Sequence, residues 1–405
     1  MLNNIFLKKI LNKYFLVFIT MLFLYLTTLQ MPFLEAIKWV QATDVYSYLV
    51  ISNSAPSLPL DKILFHFAQR WIPHYLTGIF AGTLHIDLAL AYQLLNGIII
   101  FTILILFKSL ILKIVRFRSM GIFIFLLLAL SVYSFRLYIF VPGLYADLFF
   151  VCGLAFAIKG CMDKSYRYVI FGMLLATSGK QFSLMALPGI ILYFFSVWSK
   201  TEKINKVLFL LSGLVLITTF FYILLGFIAQ RFSVSDQVEF NVFFSFFPWL
   251  SSDKFTFSLL AEHILRILIP LCPFLLMIFI WPSSFKNKLL VLKANESIAL
   301  IMIALGPIAY AFLPGPELQM GNQGRYVGLV LLPVSLITAK IFSETKLHLS
   351  IFDFICILFI LLNLTYHHRY SIIQSSPISF FLTQMIGLLT FIIWSISRKK
   401  FFLIN

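Results

Sequence analysis

The chain has 405 residues, of which 61% are apolar and only 11% are charged, and phenylalanine alone occurs 47 times. So few charges could not cover the surface of a water-soluble globule, and a disordered chain would be richer in charge and poorer in apolar residues. Apolar runs of about 20 residues favour membrane-spanning helices, since barrel strands alternate polar and apolar residues over about ten positions. The sequence therefore predicts an all-α, polytopic helical membrane protein in which residues 1–405 form a single integral membrane domain.

The net charge of +16 comes from 31 basic and 15 acidic residues. Taken alone it would suit a nucleic-acid-binding protein, but the placement of the bases favours a membrane orientation, and we expect no nucleic-acid partner. Seven basic clusters hold 21 of the bases and fall at the two termini and in every second loop. By the positive-inside rule these loops and both termini are cytoplasmic. The clusters are Lys8–Lys13, Lys108–Arg118, Lys159–Arg167, Lys200–Lys206, Lys286–Lys293, Lys340–Lys346 and Arg398–Lys400.

Ten apolar runs are predicted spans, and a shorter pair brings the hydrophobic helices to about 12. The first run is followed by no small-residue cleavage site, which is typical of an uncleaved signal anchor. The short pair, 168–177 and 182–198, is broken at Ser178-Gly179-Lys180. Both flanks of the pair are basic, so the break lies at the outer side or within the membrane, where irregular backbone needs protein or water around it. The spans lie near 14–31, 88–107, 119–139, 142–158, 207–229, 259–281, 297–313, 327–342, 350–366 and 377–396.

Three longer segments lie outside in this topology: 32–87, 230–258 and 314–326. The inner loops are short and basic, so we expect any chemistry at the outer face. The sequence has no P-loop, zinc-protease, nucleophile-elbow or dinucleotide motif. A reaction at the outer face would therefore need a substrate that is already activated, and lipid-linked phosphates are the obvious supply.

Asp44 follows the first span in the outer segment. It is predicted either to begin a helix, by accepting hydrogen bonds from free backbone N–H groups, or to act as a general base toward an acceptor hydroxyl. Arg70 and His74 lie further along the same segment. Arg70 is predicted either to anchor an aromatic interfacial belt or to clamp a phosphate, and His74 is predicted to lie at the interface.

Asp147 lies within or at the outer end of a span, where a charge is costly and should face a cavity or a partner. Arg136, in the preceding span, is the partner that the sequence suggests, and a structural ion pair is one interpretation. Lys180 and Gln181 mark the break in the short pair. The Lys180 ammonium would either hold a phosphate or extend to lipid head groups.

Arg325 and Tyr326 begin a span after the glycine-rich outer segment 314–326. An arginine at the end of a span commonly anchors the helix at the interface, and this remains the simpler interpretation of Arg325 when it is taken alone. Together with Arg70 and Lys180, however, it would add a third cation at the outer face.

Five short segments, taken together, resemble segments of a known enzyme class. In their order along the chain and their predicted side of the membrane they resemble bacterial membrane glycosyltransferases of the GT-C fold, which use polyprenyl-phosphate sugars as donors. The segments are Asp44-Val45-Tyr46-Ser47-Tyr48, Gln69-Arg70-Trp71-Ile72-Pro73-His74-Tyr75-Leu76, Pro142-Gly143-Leu144-Tyr145-Ala146-Asp147, Ser178-Gly179-Lys180-Gln181 and Gly324-Arg325-Tyr326.

The resemblance implies a hexosyltransferase in the bacterial cytoplasmic (inner) membrane that serves the cell-envelope polysaccharide. Its partners would be the lipid bilayer, a polyprenyl-phosphate-linked sugar and a glycan or lipid-linked acceptor. Asp44 would be the catalytic residue. Gln181 stands where that superfamily often has an acid, and no second acid adjoins Asp44, so the sequence does not support a divalent metal and leaves the cofactor unassigned. The substrate-binding residues would be Arg70, His74, Asp147, Lys180, Gln181, Arg325 and Tyr326.

Two other functions stay open at this point. A polymerase that joins lipid-linked repeat units of an O-antigen or capsule would also have about a dozen helices and large outer loops, but would rely on arginines. A transporter or flippase for lipid-linked sugars would be expected to show an internal repeat that relates its two halves, and the sequence shows none.

Overall fold

Helices form nearly all of the secondary structure in a computed structural model of the protein, which describes residues 2–30, 44–234, 245–280, 285–316, 322–345 and 350–402. Within these ranges there are 19 α-helices and one pair of two-residue strands. The helices of the first half are α1 (Leu2–Thr27), α2 (Asp44–Ser54), α3 (Phe65–Ala68), α4 (Trp71–Leu84), α5 (Leu88–Ile114), α6 (Arg118–Ala129), α7 (Arg136–Phe140), α8 (Ala146–Met162), α9 (Tyr166–Gly179) and α10 (Phe182–Trp198). Those of the second half are α11 (Ile204–Gln230), α12 (Phe246–Leu250), α13 (Phe257–Ile280), α14 (Phe285–Lys293), α15 (Asn295–Phe312), α16 (Gln323–Gly328), α17 (Leu331–Ile341), α18 (Ile351–Thr365) and α19 (Pro377–Phe402).

The predicted class, an all-α membrane protein, is confirmed. In the described ranges five helices are long and apolar enough to cross a bilayer, namely α5, α11, α13, α15 and α19, and shorter apolar helices accompany them. Large apolar side chains on α11 and α18 point outward, and Phe209 and Ile351 are 76% and 83% exposed. Such a surface is stable only where lipid replaces water. The structure thus supports an integral membrane protein.

Two predicted spans are interrupted. The span 119–139 stops at the end of α6, passes through turns and resumes as α7, and the span 327–342 is divided between α16 and α17. At the first break the Ser134 hydroxyl donates to the carbonyl oxygen of Leu128 at 2.6 Å, replacing the backbone partner that continued helix would supply. The breaks meet, because a Cβ on Gly328 would lie 2.5 Å from the carbonyl oxygen of Tyr133.

The break in the short helical pair is confirmed. Helix α9 ends at Gly179 and α10 begins at Phe182, so that Lys180 lies between them. Helix α8 is buried on nearly every side and runs beside α9 at the centre of the protein. Gly153 of α8 and Gly172 of α9 let the two backbones touch, since a Cβ on Gly153 would lie 2.4 Å from the carbonyl oxygen of Gly172.

The predicted inner loops contact one another at one end of the protein. Lys113 and Lys159 both lie 2.5 Å from the Asp163 carboxylate, and Lys200 and Lys340 both pair with Glu296. Burial would raise the pKa of Asp163, but hydrogen bonds from Lys113 and Lys159 hold this pKa below its usual value. These contacts bring the predicted inner loops to one end of the protein, as the predicted topology requires.

The predicted outer segments also meet, at the opposite ends of their helices. Strands β1 (Ile63–Leu64) and β2 (Ser233–Val234) pair in parallel and join the segment 32–87 to the segment 230–258. The backbone N–H of Phe246 donates to the carbonyl oxygen of Leu313 at 2.9 Å and joins the second segment to the third. The described part of this first segment, residues 44–87, is helical and not a loop, since it contains α2, α3 and α4.

The contact between α8 and α9 can be tested through its glycines. Gly153→Ala places a methyl group 2.3 Å from the backbone nitrogen of Ala176, and we expect a loss of stability of about 1–3 kcal/mol from overpacking. The matched control is Gly82→Ala, because no atom lies within 4 Å of the added methyl group there. Thermal unfolding in detergent, followed by size-exclusion chromatography, measures both variants. Equal melting of the two would show that the helices do not depend on this close approach.

Candidate functional site

A buried carboxylate lies at the predicted outer end of α8. Asp147 is fully buried, and its two oxygens contact two cations from distant parts of the chain. The Lys180 ammonium lies 3.0 Å from Oδ1, and Nε of Arg325 lies 2.6 Å from Oδ2. Tyr138 places its hydroxyl 3.4 Å from Oδ2. The carboxylate therefore holds the break after α9 and the start of α16 together.

Lys180 is fully enclosed by protein and does not extend to lipid head groups. Its ammonium lies 4.5 Å from the ring centre of Tyr326 and 5.2 Å from that of Phe182. Aromatic faces attract a cation, and the attraction is stronger in a desolvated site. Tyr326 packs edge-on against Tyr310 as well, with ring centres 4.8 Å apart. Lys180 is thus fixed by one carboxylate and an aromatic wall.

Arg70 enters the same region from the outer segment that precedes α4. Its Nη1 donates to the Tyr48 hydroxyl at 2.8 Å, and its Nε donates to Oε1 of Gln181 at 3.3 Å. The amide nitrogen of Gln181 donates in turn to Gln69 at 2.7 Å. Gln181 therefore connects the Arg70 guanidinium to the break that carries Lys180. The interpretation of Arg70 as a mere interfacial anchor does not fit its 7% exposure.

His74 is fully buried, so its predicted position at the interface is wrong. Its ring stacks on Tyr48 with centres 3.8 Å apart, and its Nδ1 lies 2.9 Å from the Tyr92 hydroxyl. The Tyr145 ring lies edge-on to His74, and its hydroxyl contacts both Thr77 and the Pro73 carbonyl. This aromatic group supports Tyr48 and, through it, the Arg70 guanidinium.

The side chain of Asp44 lies outside the described residues, so its role stays a prediction. The structure shows that α2 begins at Asp44 and that the next residue, Val45, is buried. A Cβ on Gly143 would lie 3.0 Å from a methyl group of Val45. The start of α2 is therefore packed on the turn Pro142–Leu144, which leads directly to Asp147.

The predicted pairing of Asp147 with Arg136 is wrong. Arg136 is buried, but its guanidinium donates to Thr27, Thr28 and Thr365 at 2.8–3.1 Å. Thr27 is the last residue of α1 and Thr28 follows it, while Thr365 ends α18. Arg136 thus joins the two helices at the edge of the protein and leaves Asp147 to Lys180 and Arg325.

Three buried cations, Arg70, Lys180 and Arg325, gather around one buried carboxylate. Of the residues that the structure describes, only Asp147 and Asp353 are buried acids, and Asp353 is hydrogen-bonded to Ser350 and Trp394 elsewhere. Positive charge in excess of negative charge is expensive in a dry site, and an anionic ligand would offset that cost. Arginine and lysine at such a site suit the oxygens of a phosphate.

No metal-binding cluster of three or more His, Cys, Asp or Glu side chains occurs within the described ranges. Of the site's tyrosines, Tyr326 was among the predicted site residues, whereas Tyr48 and Tyr138 were not. Tyr48 receives the Arg70 hydrogen bond, and it could have been found because it lies four residues after Asp44, one helical turn along α2. Tyr138 gave no such signal.

The chain matches no family model, no curated protein and no solved structure.

The charges around Asp147 generate a stability prediction. Asp147→Asn leaves buried cations without their carboxylate, and we expect a loss of about 3–5 kcal/mol. Adding Lys180→Met should recover part of this loss because one buried cation is removed. The control is Glu344→Gln, which breaks an exposed ion pair with Arg116 and should cost at most about 1 kcal/mol. Thermal unfolding in detergent compares the stability of the variants. If Asp147→Asn costs no more stability than Glu344→Gln, the buried cations do not depend on the Asp147 carboxylate.

Proposed function

We propose that the protein is a membrane glycosyltransferase that moves a hexose from a polyprenyl-phosphate donor to an acceptor on the outer face of the bacterial cytoplasmic membrane. One observation carries the proposal. Arg70, Lys180 and Arg325 come from three sequence-distant outer segments, and the Asp147 and Gln181 side chains link them in one buried cluster. These are the segments in which the chain resembles GT-C glycosyltransferases.

In the proposed reaction the bond between the anomeric carbon and the donor phosphate breaks, and a bond to the acceptor oxygen forms. The anomeric carbon passes through a cation-like state, and the acceptor hydroxyl gives its proton to Asp44. The polyprenyl phosphate leaves with an added negative charge. Arg70, Lys180 and Arg325 supply positive charge where this negative charge develops, which lowers the barrier because the charges are already in place.

Asp147 has a positioning role in this scheme. Its carboxylate orients Lys180 and Arg325 and reduces their mutual repulsion. Tyr326 forms the aromatic wall beside Lys180, while Gln181 and His74 hold Arg70 through hydrogen bonds and through Tyr48. Arg70, Lys180 and Arg325 form the cationic cluster. In this scheme every other predicted substrate-binding residue contacts a member of the cluster or a residue that holds one in place.

The proposed base can be tested by Asp44→Asn, which preserves size but removes proton affinity. We expect transfer to fall by about 10²–10⁴-fold, the range typical of a lost general base. The assay incubates membranes with polyprenyl-phosphate-linked hexoses and measures release of polyprenyl phosphate and labelling of the endogenous acceptor. Asp61→Asn, at an exposed position in the same outer segment, is the matched control and should leave transfer unchanged.

Full activity of Asp44→Asn with normal expression would remove Asp44 from catalysis. If no polyprenyl phosphate is released by the unaltered protein, but lipid-linked sugar crosses the membrane of proteoliposomes, the protein is a transporter. Elongation of lipid-linked repeat units, in place of addition of one hexose, would identify a polymerase.

Arg325 should affect binding as well as rate. Arg325→Lys keeps the charge but loses the planar fork that suits phosphate oxygens, and we expect a higher KM for the donor together with a lower kcat, because a phosphate charge is held in both the ground and transition states. The control is Arg231→Lys, an exposed arginine of the outer face that should change neither value. A change in kcat alone would place Arg325 outside the donor-binding site.

A further inference from the structure

A polar cavity of about 280 Å³ lies on the other side of α16 from the cluster of Arg70, Lys180 and Arg325. Its lining comes from the first turns of α13, from the start of α16 and from the segment that follows α18. All three segments belong to the predicted outer side. Gln323 faces this cavity, whereas Arg325, two residues later on α16, faces Asp147.

Hydrogen bonds fix the orientation of the Gln323 side chain. His263 has its Nε2 at 3.1 Å from the carbonyl oxygen of Phe312, so Nε2 carries the proton and donates it. Nε2 of Gln323 lies 3.0 Å from the other ring nitrogen, Nδ1, and an amide nitrogen can only donate, so Nδ1 accepts and the ring is neutral. The amide nitrogen of Gln323 therefore points at His263, and its amide oxygen points away.

The Gln323 amide oxygen needs a donor that the described residues do not provide. Gln323 is 2% exposed, and its Oε1 has no hydrogen-bond partner within the part of the chain that the structure describes. Nδ1 of His368, which also lines the cavity, is likewise buried and has no hydrogen-bond partner within the described residues. Buried polar atoms are rarely left unpaired, because the loss of hydration is not recovered. Both atoms indicate a hydrogen-bonding ligand.

Two histidines that line the cavity, His263 and His367, are uncharged. Nδ1 of His367 accepts from the backbone N–H groups of Arg369 and Tyr370, which requires an unprotonated nitrogen there. Burial, and then the neighbouring His368 and Arg369, lower the pKa of His367 to about 2, so the ring is neutral at pH 7. His263 is neutral for the reason already given.

The charged groups of the cavity lie at its rim. Glu262 and Arg266 form an ion pair at 2.6 Å, and Arg369 is exposed. A bound anion without hydrogen-bond donors could pair with Arg369 at the rim, but it would leave the Gln323 oxygen without a donor. A ring with many hydroxyl groups can donate to that oxygen, accept from the rim arginines and place its C–H groups against the aromatic walls of Tyr133 and Tyr370.

We propose that this cavity binds one saccharide ring of the acceptor glycan, with its hydroxyl groups hydrogen-bonded to Gln323 and His368. The inference rests on the proposed function, since it assigns the acceptor to the opposite face of the helix that carries Arg325. Its size is near the lower end of ligand pockets, about 300–1,000 Å³, which favours a single ring over an oligosaccharide.

The test measures binding without catalysis. Methyl glycosides of glucose, galactose, mannose, rhamnose and N-acetylglucosamine are added to the detergent-purified protein, and saturation-transfer NMR detects their ring protons. We expect at least one glycoside to bind, and to bind about tenfold more weakly to Gln323→Leu and to His368→Phe, because each variant leaves a hydroxyl group without a partner. Gln93→Leu, an exposed position on α5, is the matched control and should bind as the unaltered protein does.

Absence of binding by every glycoside, or equal binding by the control and both cavity variants, would overturn the proposal. Displacement of the glycoside by inorganic phosphate would show an anion site and would overturn it as well. Glycoside binding does not require the polyprenyl-phosphate donor, so the transferase function and the acceptor site can be rejected independently. Glycoside binding without hexose transfer would reject only the transferase, and transfer without glycoside binding would reject only the acceptor site.

Discussion

A carboxylate that is buried in an apolar protein must be neutralised, and the outer half of this structure depends on how that requirement is met. Asp147 is neutralised by Lys180 and Arg325, which lie 33 and 178 residues further along the chain. Breaking such an ion cluster is costly because the remaining charges stay in a low-dielectric site. The turn at the broken helical pair and the short helix α16 are therefore held at one point. The close backbone contact at Gly153 and Gly172 keeps α8 and α9 aligned so that Asp147 and Lys180 meet.

The two ends of the protein have different kinds of charge. At the predicted inner end the ion pairs around Asp163 and Glu296 are partly exposed and join short basic loops. Each such pair contributes little to stability. At the predicted outer end the charges are buried and surrounded by tyrosines, so they interact strongly with one another and with any ligand. In the proposed reaction, α16 separates the donor phosphate on one face from the acceptor ring on the other.

Hydropathy and charge placement could predict the membrane class and the break at Lys180, because these depend on local composition. Partners could not be predicted in the same way. Arg136 is close to Asp147 in sequence, yet it bonds to Thr27, Thr28 and Thr365, and the true partners of Asp147 are far along the chain. The interruption after α6 was missed because Ser131 and Ser134 lie within an apolar run that reads as one continuous span. The polar floor at Gln323 also gave no sequence signal, because its meaning comes from the His263 tautomer.

The five hydrogen bonds of Arg136 have a consequence for biogenesis. Thr27 and Thr28 enter the membrane with the first helix, whereas Thr365 is synthesised more than 200 residues after Arg136. Until α18 is inserted, the guanidinium has only part of its bonds, and the N-terminal helix has no strand contact between Thr28 and Ser371. A chain that ends before α18 would therefore leave a buried guanidinium without two of its five hydrogen bonds, which is costly where no water can replace them.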